Sequence, residues 1–195
     1  MTVITPSDES LLAEFLQGKK APFTILVKRY EIPLLNFIFK FIRDRDEAED
    51  IFQETFLRVV KRASCFNPAM TFKTWLYTIA LNLMRTRAKR RSAAPLLAGD
   101  YQNQDISILE TMPSSSTTPE DNLADKEIAK KITDAVNSLS QKHREVFILY
   151  QYQNFSYEEI AHVLNRPLGT IKSQMHYAVA YLKKELENIM KTGEI

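Results

Sequence analysis

The sequence lacks several features that whole classes of protein require. Four glycines in 195 residues are too few for the many tight turns of an all-β chain. The single cysteine, Cys65, has no partner for an internal disulfide, which fits a reducing compartment. The most apolar run, 32–42, is about half the length that spans a bilayer, and the first ten residues have no basic or apolar signal region. These absences favour a cytoplasmic protein without membrane insertion.

A further absence is local, because no acidic residue occurs between Thr55 and Gly99. The stretch holds the basic residues Arg58, Lys61, Arg62, Lys73, Arg85, Arg87, Lys89, Arg90 and Arg91, with Phe66, Phe72, Trp75 and Tyr77 set among them. The net charge of the whole chain is only +2, so this is a local concentration. Charge of one sign with interspersed planar rings predicts a nucleic-acid partner. With no carboxylate close by in the sequence, the cations of 85–91 are expected to contact phosphates.

Residues 100–125 have the opposite character, with acidic residues and no basic ones. The segment 112–119, MPSSSTTP, has no apolar periodicity and predicts a linker. We therefore expect domains at 1–91 and 118–195, joined by a flexible acidic linker at 92–117. The linker's charge has two interpretations that the residues leave open. It keeps the segment soluble and extended, or it mimics nucleic acid or occupies a basic channel of a partner.

Apolar periodicity and capping residues predict an all-α fold of two small helical domains. Ser7 is expected to cap the first helix and Gly18 to end it, while Pro33 is expected to kink or split the second. The capping-box sequence from Ser156 to Glu159 starts the seventh. The predicted helices are 7–17, 22–42, 46–62, 71–91, 119–137, 141–152, 156–165 and 170–190.

The third predicted helix has two different faces. Its expected core side consists of Ala48, Ile51, Phe52, Thr55, Phe56 and Val59. The other side carries carboxylates and an amide around one leucine: Asp46, Glu47, Asp50, Gln53, Glu54 and Leu57. Such a face is either a solvated surface with one stray leucine or a docking surface for a basic partner.

The fourth predicted helix and the loop before it carry the candidates for binding single-stranded nucleic acid. Phe72 and Leu76 are expected in the core, whereas Trp75 is either core or a stacking platform. Asn82, one heptad from Trp75, can both donate to and accept from a base edge. The loop 65–70 offers an aromatic ring and an amide to an unstacked base. The candidates are Lys61, Arg62, Phe66, Asn67, Lys73, Trp75, Asn82 and Arg85.

Residues 156–185 show the helix-turn-helix pattern, with the turn at 165–169 and a second helix starting at Thr170. The exposed start of that helix can reach base edges in the major groove, and its N-terminus can face phosphates. An ordinary helical hairpin is the alternative. The candidate duplex-contacting residues are Ser156, Tyr157, Arg166, Thr170, Lys172, Ser173, Gln174, His176 and Tyr177.

The sequence shows no catalytic constellation, such as paired acid/base carboxylates, an activated nucleophile or a phosphate loop. His162 and His176 have no Cys or His neighbour at metal-ligand spacing. We therefore predict no enzyme activity, no cofactor and no metal site.

Four segments together resemble bacterial RNA polymerase sigma factors of the extracytoplasmic-function (ECF) class. They are 46–58 (DEAEDIFQETFLR), 72–82 (FKTWLYTIALN), 139–147 (LSQKHREVF), and the pair 155–161 and 169–173 (FSYEEIA and GTIKS). They cover both predicted domains in the order found in that family, with a linker between them.

The resemblance implies a protein that binds core RNA polymerase, as a monomer when free, and directs promoter recognition and opening. Asp46, Asp50, Gln53, Glu54 and Leu57 would dock on the clamp helices of the polymerase. The basic helix and its preceding loop would hold the melted minus-ten strand, and the helix from Thr170 would bind the minus-35 element. The linker would thread the polymerase channels. An anti-sigma factor that covers the docking surfaces is also implied.

The chain departs from the family pattern in its recognition helix. Family members often carry arginine where this chain has Gln174, Tyr177 and Val179, so Lys172 is the one cation in the first two turns. Since each lost phosphate contact weakens binding and flattens its salt dependence, we hypothesise weak minus-35 binding by the second domain.

Two other functions fit parts of the sequence. A dimeric repressor or activator would use the helix-turn-helix but leave the acidic helix and the basic 55–99 block unexplained. An RNA-binding or antitermination adaptor would use the aromatic, basic helix. Binding to core polymerase separates the first from a sigma factor, and preference for single-stranded promoter DNA over RNA separates the second.

Overall fold

The computed structural model of the protein describes residues 5–42, 44–93 and 121–191, and these form helices and turns without a strand. The helices are α1 (Asp8–Leu16), α2 (Lys20–Phe39), α3 (Arg45–Arg62), α4 (Phe72–Ala93), α5 (Asp121–Ser138), α6 (Gln141–Gln151), α7 (Tyr157–Leu164) and α8 (Leu168–Lys191), with a 3-10 turn at Ala63–Cys65. The predicted all-α class is confirmed for this part of the chain. Most of the predicted linker, from residue 94 onward, lies outside the described residues.

The chain divides into two compact units. The first is built around α1–α4, where α2 packs on α1 and α3, and α3 packs on α4. Its core contains the fully buried side chains of Leu26, Leu34, Phe37, Ile51 and Tyr77. Burial raises the pKa of the Tyr77 hydroxyl, which marks this ring as part of the core.

The second unit is built around α5, α6 and α8, with α8 packed on both of the others. Val146, Leu149, Ile171 and Ala178 are buried and recur at helical spacing on α6 and α8, so each helix turns one apolar stripe inward. The first half of α8 therefore buries one side and leaves its other side to solvent.

The caps of α1 agree with the sequence prediction. Ser7 Oγ accepts a hydrogen bond from Ser10 N at 3.1 Å, and Gly18 follows the helix with φ +93°, a conformation that glycine adopts without strain. Asp8, in the first turn, binds Arg29 and Tyr30 of α2. Burial, followed by the hydrogen bond with Asp8, raises the pKa of Tyr30.

Of the two outcomes expected at Pro33, a kink or a split, the split does not occur, because α2 runs unbroken from Lys20 to Phe39. Leu26 and Tyr30 before the proline and Leu34 and Phe37 after it are buried. We attribute the continuity to this burial on both sides, which offsets the one hydrogen bond that a proline removes.

The start of α8 also differs from the prediction, because it begins at Leu168 and not at Thr170. Asn165 ends α7 in the left-handed conformation, with φ 51°, and Pro167 O already accepts from Thr170 N at 2.9 Å. Asparagine tolerates this conformation better than most residues. Within the predicted turn at 165–169, the left-handed residue is therefore Asn165, and Gly169 lies in the first turn of α8.

Candidate nucleic-acid and protein interfaces

The acidic helix α3 buries one side and exposes the other, as its periodicity predicts. Ala48, Ile51, Thr55, Phe56 and Val59 are buried, and Phe52 is half-buried. Asp46, Asp50, Gln53 and Leu57 are exposed and Glu54 is half-buried. Leu57 is 53% exposed, and Val60, on the same helix, is 42% exposed. The first unit thus presents an apolar spot bordered by carboxylates and an amide, which we call the α3 face (Asp46, Asp50, Gln53, Glu54 and Leu57).

Arginines from two directions partly neutralise the carboxylates on α3. Arg58, one turn along the same helix, lies 2.9 Å from Glu54, and this hydrogen bond lowers the pKa of the Glu54 carboxyl. From α4, Arg91 approaches Glu47 at 2.8 Å and Arg87 approaches Asp50 at 3.8 Å.

These contacts correct the expectation that the 85–91 cations face no carboxylate. The sequence separates acid from base along the chain, but the C-terminal end of α4 packs beside the N-terminal end of α3. Glu47 and Asp50 therefore reach Arg91 and Arg87 across the helix pair. The α3 face and the basic end of α4 are neighbouring surfaces that share charge.

The start of α4 is fixed by a residue distant in sequence. Glu9 of α1 accepts a hydrogen bond from Phe72 N at 2.8 Å, and Thr71 Oγ1 accepts from Thr74 N at 3.2 Å. Carboxylates stabilise a helix N-terminus by satisfying free N–H groups and complementing the dipole. The contact with α1 therefore positions the first turn of α4 and the loop that leads into it.

Trp75 lies within an aromatic cluster at this point. Its ring centroid is 5.3 Å from that of Phe66 and 6.1 Å from that of Phe72, while Tyr30 lies 5.6 Å from Phe72 on the inner side. Phe72 is fully buried, as predicted, and Phe66 and Trp75 are half-buried. The edge of the cluster thus offers two partly open rings at the loop.

The loop from Phe66 to Met70 is held by Asn67. Its Oδ1 accepts from Ala69 N at 3.0 Å and its carbonyl accepts from Met70 N at 3.1 Å. Asn67 itself is exposed. Of the other candidates for single-strand binding, Lys61, Arg62 and Asn82 are exposed, and Lys73 and Arg85 are half-buried. The structure thus brings the rings of Phe66 and Trp75 into contact, and Asn67 follows Phe66 in the loop.

The helix-turn-helix of the second unit starts with the predicted capping box. Ser156 N donates to Glu159 Oε2 at 2.9 Å, and Glu159 N donates to Ser156 Oγ at 3.1 Å. The hydroxyl of Ser156 is therefore engaged in starting α7. Tyr157 stacks on Tyr150 with centroids 5.1 Å apart, a contact that the sequence reasoning missed.

The start of α8 exposes most of the candidates for duplex binding. Lys172, Ser173 and His176 are exposed, Tyr177 is 63% exposed, and Thr170 and Gln174 are half-buried. Tyr177 stacks on His143 with centroids 5.9 Å apart. Burial, followed by the charge of Lys142, lowers the pKa of His143, which favours the neutral imidazole.

Arg166, also predicted to contact duplex, forms an ion pair within the second unit. Its Nη2 lies 2.7 Å from Glu145 Oε2, and the Glu145 side chain is 2% exposed. Its Nη1 donates to Gln174 Oε1 at 3.1 Å and to Lys142 O at 3.4 Å. One guanidinium therefore joins α6, the turn and α8. Sequence reasoning missed Glu145, since a buried carboxylate leaves no signal beyond a polar residue in an apolar stripe.

Within the residues that the structure describes, no group of three or more metal-ligating side chains occurs. No helix in the same ranges has the length and hydropathy to cross a membrane.

Comparisons with family models match both units. The model of sigma-70 region 2 matches residues 26–94, and that of sigma-70 region 4 matches residues 129–182. Together they cover the α3 face, the basic helix and the helix-turn-helix.

Curated relatives match the chain over nearly its whole length. The ECF RNA polymerase sigma-E factor of Haemophilus influenzae is 26% identical over 188 residues, covering 94% of this chain and 97% of that protein. The ECF RNA polymerase sigma factor SigW of Bacillus subtilis is 28% identical over 174 residues, covering 89% and 93%.

Two solved structures share the fold. CnrH in complex with the cytosolic domain of CnrY superposes with TM-score 0.66 at 23% identity, covering 94% of this chain and 99% of that one. The sigma factor RpoE in complex with the anti-sigma factor NepR from Bartonella quintana gives 0.58 at 23%, covering 83% and 96%.

Proposed function

The chain belongs to the sigma-70 family as an ECF-class sigma factor that directs promoter-specific transcription initiation, and we propose how its surfaces divide that work. The division follows the domains expected from the sequence: 1–91 for polymerase and minus-ten binding, 118–195 for minus-35 binding, and 92–117 as the linker.

We assign polymerase docking to the α3 face, and the observation that carries this is the exposure of Leu57. An apolar side chain exposed by half, bordered by Asp50, Gln53 and Glu54, fits the arrangement of a hot spot with a polar rim. Arg58 lowers the pKa of the Glu54 carboxyl and partly offsets its charge, whereas the exposed Asp50 is only loosely paired with Arg87 at 3.8 Å and adds negative charge to the rim. The expected partner surface is basic with an apolar pocket at its centre.

The minus-ten strand is assigned to the loop 66–70 and the exposed side of α4. The rings of Phe66 and Trp75 contact each other and are half-buried. Their outer edges therefore remain open to an unstacked base. Asn67 and the exposed Asn82 supply amides for base edges. Lys61, Arg62, Lys73 and Arg85 supply charge for the backbone.

The minus-35 duplex is assigned to the N-terminal half of α8. Thr170, Ser173, Gln174, His176 and Tyr177 are available to the major groove, and Lys172 to a phosphate. With Arg166 drawn to Glu145, the region keeps little positive charge for the duplex. This supports the hypothesis of weak minus-35 binding. A salt slope near that of one or two phosphate contacts for the second unit would agree with it, and a steep slope would remove it.

The protein contributes binding and positioning, and the polymerase supplies the chemistry. It is accordingly assigned no catalytic role of its own, and its place is the cytoplasm, where polymerase and chromosome meet. An anti-sigma factor is a further proposed partner. RpoE was solved in complex with the anti-sigma factor NepR, and CnrH was solved in complex with the cytosolic domain of CnrY. The α3 face is the surface for which it would compete.

Run-off transcription with purified core polymerase on genomic fragments tests the assignment. Wild-type protein should produce specific transcripts, and Leu57→Asp should abolish them by preventing assembly with core. Ile32→Asp is the matched control, because Ile32 is 58% exposed and lies on α2. A dimeric repressor would bind promoter fragments without joining core polymerase. An adaptor would prefer RNA to the single-stranded promoter, and either result would replace the proposal.

A further inference from the structure

The side-chain amide of Gln174 has a fixed orientation. An arginine has hydrogen-bond donors only, so the Gln174 atom 3.1 Å from Arg166 Nη1 must be its oxygen. The amide nitrogen then points away from the guanidinium. No acceptor for Gln174 Nε2 is found among the residues that the structure describes.

Arg166 is itself held from three sides, which makes the orientation of Gln174 a property of the fold. Nη2 is paired with Glu145 at 2.7 Å, and Nη1 divides its two hydrogens between Lys142 O and Gln174 Oε1. Glu145 also accepts from Gln141 Nε2 at 3.2 Å and is buried. A buried carboxylate does not release its cation without a large desolvation cost.

A glutamine ordinarily distinguishes adenine by using both amide atoms, donating to N7 and accepting from N6. That pairing requires the oxygen and the nitrogen to face the base together. With its oxygen turned to Arg166, Gln174 offers only N–H donors to the major groove. Guanine is the base whose major-groove edge offers two acceptors, N7 and O6, to such donors, whereas thymine offers the single acceptor O4 and adenine pairs its N7 with an N6 donor.

We propose that Gln174 is a specificity-determining residue that selects guanine at one minus-35 position, and that Arg166 and Glu145 are the positioning residues that orient it. This inference rests on the proposed function, because it requires that the start of α8 enters the major groove. It adds which base one side chain prefers and why that preference depends on residues that do not touch DNA.

The test uses the full chain assembled with core polymerase. Promoter fragments recovered from genomic run-off transcription are varied to all four bases at each minus-35 position, and transcription is measured for each. Wild type should favour guanine over adenine about tenfold at one position. Gln174→Ala should remove that preference and leave the other positions unchanged. Lys184→Ala, an exposed change on the same helix, is the matched control and should change no preference.

The double variant Glu145→Gln with Arg166→Met frees the Gln174 oxygen without leaving a buried charge unpaired. It should shift the same position from guanine toward adenine. An unchanged profile in Gln174→Ala, or adenine preferred by wild type at the position that Gln174→Ala affects, overturns the inference even if the double variant fails to fold. A wild-type assembly that transcribes no fragment overturns the proposed function instead, so the two failures are distinguishable.

Discussion

The two units hold their functional surfaces with different kinds of ion pair. In the first, Arg87–Asp50 and Arg91–Glu47 join α4 to α3 at the surface, with the Asp50 side chain 69% exposed and that of Arg91 59% exposed. In the second, Arg166 meets a Glu145 that is 2% exposed. Exposed pairs contribute little and exchange partners readily, whereas breaking a buried pair leaves an uncompensated charge.

The difference indicates two strategies for presenting a binding surface. The Arg87–Asp50 and Arg91–Glu47 pairs of the first unit are exposed and weak, so we expect a binding partner to replace either member at little cost. The Arg166–Glu145 pair of the second unit is buried and ties the start of α8 to α6, so we expect α8 to keep its position when a partner binds. We expect the first unit to adapt to partners and the second to discriminate between them. Four substitutions can break or sharpen this comparison.

Arg166→Ala should have the largest effect, destabilising the second unit by about 3 kcal/mol because it leaves the Glu145 carboxylate buried without its cation. Far-UV circular dichroism during urea unfolding measures the loss. The single tryptophan of the chain, Trp75, lies in the first unit, so its fluorescence midpoint should not move. A loss of less than about 0.5 kcal/mol in the free energy of unfolding of the second unit would mean that this buried pair contributes no more than the exposed pairs.

Glu9→Ala should follow, with a loss of about 1–2 kcal/mol in the first unit, because Phe72 N loses a charged acceptor at the start of α4. Trp75 fluorescence in urea reports it directly, since Trp75 lies in the first turn of the same helix. Glu14→Ala, which removes an exposed pair with Lys19, is the control and should cost less than about 0.5 kcal/mol. Equal losses would contradict the capping role of Glu9.

Glu47→Gln should cost no more than about 1 kcal/mol, because Arg91 is largely exposed and returns to solvent when its partner is neutral. The same fluorescence titration, repeated at high salt, measures the change. The difference from wild type should shrink as salt screens the pair. A loss as large as that of Arg166→Ala would show that exposure does not separate the two units.

Asp50→Asn should have the smallest effect on stability, within about 0.5 kcal/mol, since its pair with Arg87 is long and exposed. Its effect on polymerase binding should be larger than its effect on folding, because Asp50 belongs to the α3 face. Fluorescence titration and core-polymerase binding measured side by side test this. A large stability loss with unchanged binding would assign Asp50 to the fold and not to the partner.

Local signals in the sequence predicted most of the helices. Ser7 and Ser156 cap the helices that they were expected to cap, because a capping residue acts on a backbone group only three residues away. The same locality explains one wrong boundary, because the sequence predicted the last helix from Thr170 and α8 starts at Leu168. Asn165 and Gly169 both suit a left-handed residue, and the fold shows that Asn165 adopts it.

Contacts between helices were not predictable from the same signals. The pairing of Glu9 with Phe72 N, of Arg91 with Glu47, and of Arg166 with Glu145 depends on which helix ends meet after packing. Charge segregation along the chain therefore predicted an unopposed basic cluster that the folded unit does not have. The exposed α3 face was predictable because amphipathicity is a property of a single helix.

The capping of α4 by Glu9 has a consequence for synthesis. The bond spans 63 residues, so the acceptor leaves the ribosome long before its donor does. Until Phe72 emerges, α1 can pack on α2 but not on α4, and Glu9 has no backbone N–H of α4 to accept from. The first unit therefore completes its fold only after the start of α4 has been synthesised, although the residues of the α3 face precede that point.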